Sequence, residues 1–339
     1  MTKRERVISA LQHKQPDYIP YTCKLTQLEQ VRLDEYTGDP GFMARQGSHM
    51  EHIGFPLRAA EIAGKPGYFK DHYGVIWNRS GADKDIGVIE DPVIPDLGNL
   101  GYGFPDLDEA ALRADLERLI AERGDLFVYG ALDFSFFERA WVMTTMEELL
   151  AGMLLHPKQV ERLLEQICEY NLRVIDIMTE YDIDGVYFGD DWGQQKGLIM
   201  GPDHWRRFIK PHLKRMYARV KARGKFVLAH SCGDIEQLFP DLIDIGLDAY
   251  NTFQPEIYDI HAVKQEFGGY LSFWGGISTQ HILPMGTPDQ VRAEVIEIMR
   301  VMGVGGGYIA APTHSVPYDV TPENLLAMLD VFTNQEKYL

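Results

Sequence analysis

The chain has 339 residues, 45% of them hydrophobic and 24% charged, which is enough to bury a full core in one large α/β domain or two ordinary ones. Its net charge of −17 argues against a nucleic acid or an anionic membrane as partner, because a phosphate surface needs a basic face. Cys23, Cys168 and Cys232 are too few and too scattered for a disulfide framework; with no apolar run of membrane-spanning length and no secretory-type start, the expectation is a cytoplasmic protein.

Residues 2–13 read as a capped helix that runs into Pro16-Asp17, and residues 18–22 read as a first strand. Two polar helical stretches follow; His49, Glu51 and His52 there are in reach of a barrel mouth, but a solvated helix face is the preferred reading. The Gly/Pro-rich region 64–105 holds alternating runs at 74–78 and 87–90, which predict a small hairpin inserted between barrel strands as a lid or rim. It has no core of its own, so residues 1–339 are expected to form a single domain.

From residue 125 onward, β-like runs alternate with amphipathic helices. Strands are expected at 127–132, 185–188, 226–229, 249–253, 271–274 and 308–311, and helices at 158–179, 205–222, 235–245 and 288–302. Asp234, Thr287 before Pro288 and Thr321 before Pro322 read as helix starts, while Gly224, Gly246 and Gly303 read as stops. Cys168 falls inside a helical pattern as a small core residue, and His204 and His212 on a helix receive no role. Repeated β-α units with short links imply a parallel sheet, and their number predicts a (β/α)8 barrel. The competing doubly wound sheet lacks its usual Gly-x-Gly-x-x-Gly turn; the glycines at 303–307 precede a strand and read as a tight helix-to-strand turn.

In such a barrel, residues just past each strand converge on one mouth. They are Asp133, Asp190 and Asp191, His230 and Cys232 of His230-Ser-Cys-Gly233, residues 251–254, residues 275–278, and His314. Taken singly, each has a structural explanation: a histidine bonded to backbone, a small buried thiol, or aspartates capping a turn. Together they sit at the same end of their strands. Two imidazoles, a thiol and carboxylates are the donor set of a catalytic zinc site, with three protein ligands and one open position.

Phe188-Gly-Asp-Asp-Trp-Gly193, Pro202 with Phe208-Ile-Lys-Pro211, His230-Ser-Cys-Gly233 followed by Leu242-Ile-Asp-Ile-Gly-Leu-Asp248, and Gly305-Gly-Gly-Tyr-Ile-Ala-Ala-Pro312 with Thr321-Pro-Glu-Asn324 together resemble the uroporphyrinogen decarboxylase superfamily, over nearly the whole chain from Arg4-Glu-Arg-Val7 onward. The resemblance implies a (β/α)8 barrel and one of two activities: decarboxylation of porphyrinogens, or zinc-dependent methyl transfer between corrinoid proteins and thiols. The decarboxylase pattern Arg-Gln-Ala-Gly-Arg is replaced by Tyr21-Thr-Cys-Lys-Leu25, and Ala44-Arg-Gln-Gly47 lies further on without the second arginine. A substrate with eight carboxylates needs cations there. The methyltransferase branch is the better match. It implies zinc ligands at His230 and Cys232, with His314 in Pro312-Thr-His-Ser315 at the position of a second cysteine.

One thiolate fewer makes the metal a stronger Lewis acid and brings ether or amine leaving groups into range beside thiols. Asp190 or Asp191 is expected to orient a ligand or deliver a proton, and Asn251, Gln254 and His281 to touch substrate. The resemblance further implies methylcobalamin on a partner corrinoid protein, a small-molecule methyl donor or acceptor, and pairing of the barrel as a homodimer. The alternatives are a metal-free decarboxylase with Asp190 beside the substrate pyrroles, a different metal-dependent lyase or hydrolase, and a non-catalytic binding protein.

Overall fold

The computed structural model describes residues 1–339 apart from 56–58, 82–83 and 99. Seven parallel strands form one sheet in the order β1 (Met50–Phe55), β6 (Phe127–Leu132), β7 (Gly185–Gly189), β10 (Phe226–His230), β11 (Ala249–Phe253), β12 (Ser272–Ile277) and β13 (Tyr308–Pro312). The segment 18–22 closes it as the eighth stave. Thr22 N donates to Ala310 O and Ala310 N to Pro20 O, both at 2.9 Å, and on the other edge His49 N donates to Tyr21 O at 3.0 Å. The result is the (β/α)8 barrel expected from the β-α alternation.

Alternation along the strands sorts their side chains into two layers. Phe127, Tyr129, Leu228, Ala249, Trp274 and Ile309 point inward and fill the barrel. Val7 and Leu11 of the helix Lys3–Leu11 plug its floor, and Gly307 N donates to Ala10 O at 2.8 Å there. Val128, Val186, Val227, Tyr250 and Phe273 point outward onto the helix ring, where Pro157–Met178 buries residues such as Val160, Leu163, Leu164 and Ile167 at three- and four-residue spacing. Gly305, Gly306 and Gly307 all have positive φ (76°, 82°, 71°) in the tight turn into β13, on the floor side away from the mouth.

The N-terminal part departs from expectation in two ways. The stretch read as a solvated helix face is β1, second stave of the barrel, in register with β6 from Met50 opposite Phe127 to Phe55 opposite Leu132. His49 is buried just before it. Polar Glu51 and His52 in mid-strand hide its period, because a strand that feeds a barrel mouth need not carry apolar residues to its end. The insertion is also larger than a hairpin: β2 (Ala60–Glu61), β3 (Tyr68–Lys70), β4 (Ile76–Asn78) and β5 (Val88–Asp91) form a four-stranded antiparallel sheet, while β8 (Gly193–Gln194) and β9 (Gly197–Leu198) pair in the loop after β7. Smaller differences lie in the helices. A π turn, Trp205–Ile209, precedes the helix Lys210–Ala222, and Asp234 accepts from Glu236 N ahead of a 3-10 turn, Glu236–Leu238, before the helix Phe239–Asp244. Thr287 and Thr321 cap their helices as expected.

Candidate metal centre at the barrel mouth

His230 ends β10 in phase with the inward-pointing Leu228, so its imidazole enters the mouth from below. Its Nδ1 lies 2.6 Å from Asn251 Oδ1, and Asn251 Nδ2 donates to Trp274 O at 3.1 Å. The second bond fixes which end of the amide faces the histidine. Nδ1 therefore carries a proton, and Nε2 is the nitrogen that offers a lone pair to the cleft once the ring is neutral. Nε2 stands 3.4 Å from Cys232 Sγ and 3.4 Å from Asp191 Oδ1, and Asp191 Oδ1 also accepts from Cys232 N at 2.7 Å. One donor atom from each of the three residues falls within 4.8 Å of the others.

The loop that carries Cys232 is held from both sides. Trp192 N donates to Ser231 Oγ at 2.9 Å, Gly233 N to Gln254 Oε1 at 2.9 Å, and the Tyr250 and Tyr258 hydroxyls donate to Ser231 O and Gly233 O at 2.8 and 2.7 Å. Gly233 has φ 81°, and a Cβ there would lie 2.3 Å from the Gly193 carbonyl carbon. Only glycine lets this loop cross the one after β7 so closely.

Electrostatics follow the geometry. Burial disfavours charge on His230, yet Tyr187, Cys232 and Asp191 together hold its proton well above the ordinary imidazole range. Burial likewise opposes ionisation of Asp191, but His230 and the Cys232 amide outweigh it and keep the carboxyl below its usual value. A metal ion entering this group must displace the histidine proton.

Other expected residues land elsewhere. Asp190 is fully buried and faces away from the cleft: it accepts from Glu138 N (2.6 Å), Phe137 N (3.0 Å) and Trp192 Nε1 (2.6 Å), anchoring the start of the helix Phe137–Met143. Burial pushes its carboxyl up to about 7 against the pull of those donors. Of the Asp pair, Asp191 alone serves the site; consecutive residues after a strand face opposite ways. Asn251 orients His230, Gln254 clamps Gly233, and His281 is exposed beside the short turn Ile282–Met285. His314, expected as third ligand, is exposed on the rim, its ring 6.2 Å from that of His230 and outside the three-donor group.

The cleft has two connected chambers sharing Asp133, Tyr187, His230 and His314. The inner one, ≈ 150 Å³, is lined by Lys24, His52, Tyr129 and Trp274 among others, with Lys24 Nζ 3.2 Å from His52 Nε2 and Trp274 Nε1 donating to Thr22 Oγ1 at 2.9 Å. The outer one, ≈ 410 Å³, reaches Trp77, Phe134, Glu138 and Asp191. Sequence reading missed Tyr187 and Trp274 as site residues, although each lies at an inward position that the strand period alone would have identified; His52, weighed as a residue that could reach the mouth and set second to a helix face, does line the inner chamber. Trp77 and Phe134 had no such signal.

Fold and mouth define the class: a (β/α)8 barrel whose strand ends gather metal-ligating side chains. Residues 132–335, more than half of the chain, match the family model described as Uroporphyrinogen decarboxylase (URO-D), and the chain belongs to that family. It is 23% identical over 248 residues to the uroporphyrinogen decarboxylase of Methylococcus capsulatus, covering 69% of this chain and 67% of that one. It is 24% identical over 129 residues to the methylated-thiol–coenzyme M methyltransferase of Methanosarcina mazei, covering 38% of this chain and 32% of the relative. A solved methyltransferase from Methanosarcina mazei superimposes over 100% of both chains with a TM-score of 0.75 at 18% identity, which shows the shared fold. Among the described residues, no helix is long and apolar enough to cross a membrane.

Proposed function

We propose that the chain is a zinc-dependent methyltransferase that moves a methyl group between a corrinoid held on a partner protein and a small thiol, ether or amine. The observation that carries this reading is the convergence of His230 Nε2, Cys232 Sγ and Asp191 Oδ1 at the mouth. Donor atoms around one zinc stand roughly 3.2–3.8 Å apart, given bonds of about 2.0–2.3 Å. The separations from His230 Nε2 to Cys232 Sγ and to Asp191 Oδ1, both 3.4 Å, suit that ion.

A zinc ion bound there supplies Lewis acidity to the substrate heteroatom, stabilising a thiolate or polarising a methylated oxygen or nitrogen. Asn251 fixes the tautomer and tilt of His230, and the Gln254, Tyr250 and Tyr258 contacts hold the Cys232 loop still. His314, on the open side, meets the substrate. The longer of the two sequence matches is to a decarboxylase. Yet among the described residues the cleft's cations are few, and Arg139 is already paired with Asp71; a substrate of many carboxylates needs several, and this favours methyl transfer.

Elemental analysis of protein purified without chelator tests the centre: one zinc per chain is expected, lost in Cys232→Ala and Asp191→Ala and kept in His314→Ala. Absence of metal from the wild type, or its persistence in a His230→Ala, Cys232→Ala double variant, overturns the assignment. Loss of metal in His314→Ala with retention in Asp191→Ala would make the rim histidine the third ligand instead. Methyl transfer is then followed by the visible absorption of methylcobalamin; no change with any methyl acceptor excludes the corrinoid half of the reading.

A further inference from the structure

We propose, resting on the methyltransferase reading, that the outer chamber selects a substrate whose methylated heteroatom is carried on a flat, uncharged aryl group. Trp77 of β4 and Phe134 line this chamber, and their rings lie 5.4 Å apart at 59°. Rings so close pack on each other and leave no gap for a guest between them. Trp77 is 5% exposed and backs the half-buried Phe134, whose ring is the face left to the chamber, suited to stacking a planar group beside His230.

The backbone is bent to make that surface. Phe134 has φ 49°, a left-handed conformation that a bulky residue holds only where its surroundings impose it. Here Asp133 N donates to Phe55 O at 2.9 Å and Ser135 N to Gly189 O at 2.7 Å, so both flanks are pinned to neighbouring strands. Glycine would satisfy the same turn without strain. What phenylalanine adds is a ring in the chamber.

Trp77 is equally fixed. Its Nε1 donates to Asp71 Oδ2 at 3.1 Å; Asp71 pairs with Arg139 at 3.0 Å, and the Arg139 guanidinium lies 4.2 Å over Tyr73. The wall exists before a ligand arrives, so stacking on it costs little ordering.

Charge narrows the class further. Asp133 lines the chamber beside Glu138, whose carboxyl burial keeps protonated, while Arg139 is committed to Asp71 and Arg79 sits 4.8 Å over Phe69 and donates to Ile86 O. A sulfonate or carboxylate tail would meet the Asp133 carboxylate as a like charge; an uncharged ring meets no such repulsion.

The test uses the full chain loaded with Co²⁺ and titrated with phenylmethanethiol and with 2-mercaptoethanesulfonate, read by thiolate-to-cobalt absorption. Phenylmethanethiol is expected to bind at least tenfold tighter. Phe134→Gly, its fold verified by circular dichroism, should erase most of that preference, and Phe134→Leu should keep part of it. Equal or tighter binding of the sulfonate, or an undiminished preference in Phe134→Gly, overturns the proposal. If the protein takes up no cobalt, the metal reading falls, and saturation-transfer NMR with anisole still decides on the wall: transfer in the wild type that disappears in Phe134→Gly supports it, and no transfer in the wild type refutes it.

Discussion

On the side of β7, β10 and β11 the cleft is made of strand ends whose loops are tied by hydrogen bonds to backbone amides and carbonyls, with Asp191, His230 and Cys232 as their product. The facing side is a small sheet inserted after β1, held against the barrel by a buried Asp71–Arg139 pair; its Trp77 packs on Phe134 of the loop after β6, so this side brings rings instead of ligands. The first side fixes atoms to within the spacing of a metal's ligands. The second fixes only a surface. On the proposed reading the chemistry lies with the strand ends after β7 and β10, and the choice of substrate with the wall that Trp77 of the insertion and Phe134 of the loop after β6 build together.

Breaking the wall should be the largest perturbation to stability. Arg139 and Asp71 are both almost fully buried, so Arg139→Met leaves the Asp71 carboxylate with Val75 N and Trp77 Nε1 as its donors among the described residues. Removing one partner of a buried pair costs about 3–5 kcal/mol, whereas replacing both is often nearly neutral. Denaturant unfolding of Arg139→Met should show a loss of that order, and the Arg139→Met, Asp71→Asn double variant should recover much of it. Zinc content should remain at the wild-type level in both. Loss of metal together with the wall would mean that the two sides are not separable.

The next effect in size lies on the ligand side. Asn251→Ala removes the acceptor that fixes His230 Nδ1–H while leaving all three metal donors in place. Loss of such an orienting partner typically lowers metal affinity by about 10–100-fold. Competition with a chromophoric chelator should show this, with the melting temperature of the metal-free protein changed little. An affinity within twofold of wild type would mean that the strand alone aims the imidazole.

The same contrast governs what could be read from the residues. The staves from 125 onward are continuous apolar runs, and a run ending in His-Ser-Cys-Gly puts its ligands at a known end of the barrel; both were legible because strand period and strand direction are local properties. That Asp191 and not Asp190 serves the site depends on which of two adjacent residues meets Cys232 N, a tertiary matter. Expecting His314 as third ligand followed family resemblance, while the described geometry seats Asp191 nearer. β1 escaped notice because Glu51 and His52 make a barrel strand resemble a polar helix. The Trp77–Phe134 wall joins an insertion strand to a left-handed turn 57 residues away in sequence; no motif encodes that meeting.

The smallest expected effect falls where the two sides touch. Gly54 of β1 lies against Asp133, the carboxylate shared by both chambers, and a Cβ at position 54 would stand 2.6 Å from Asp133 Oδ2. Two terms oppose each other in Gly54→Ala. Alanine in a strand interior gains roughly 0.5–1 kcal/mol over glycine from the unfolded chain's lost freedom. The contact withdraws part of that gain, but only by turning the free end of an exposed side chain, so the net change in stability should be under about 1 kcal/mol and of either sign. What must move is the Asp133 carboxylate. If that group belongs to the charge that turns away anionic ligands, its displacement should narrow the gap between phenylmethanethiol and 2-mercaptoethanesulfonate by no more than about threefold, or about 0.65 kcal/mol. A gap that closes entirely would make Asp133, and not the aromatic wall, the residue that chooses the substrate.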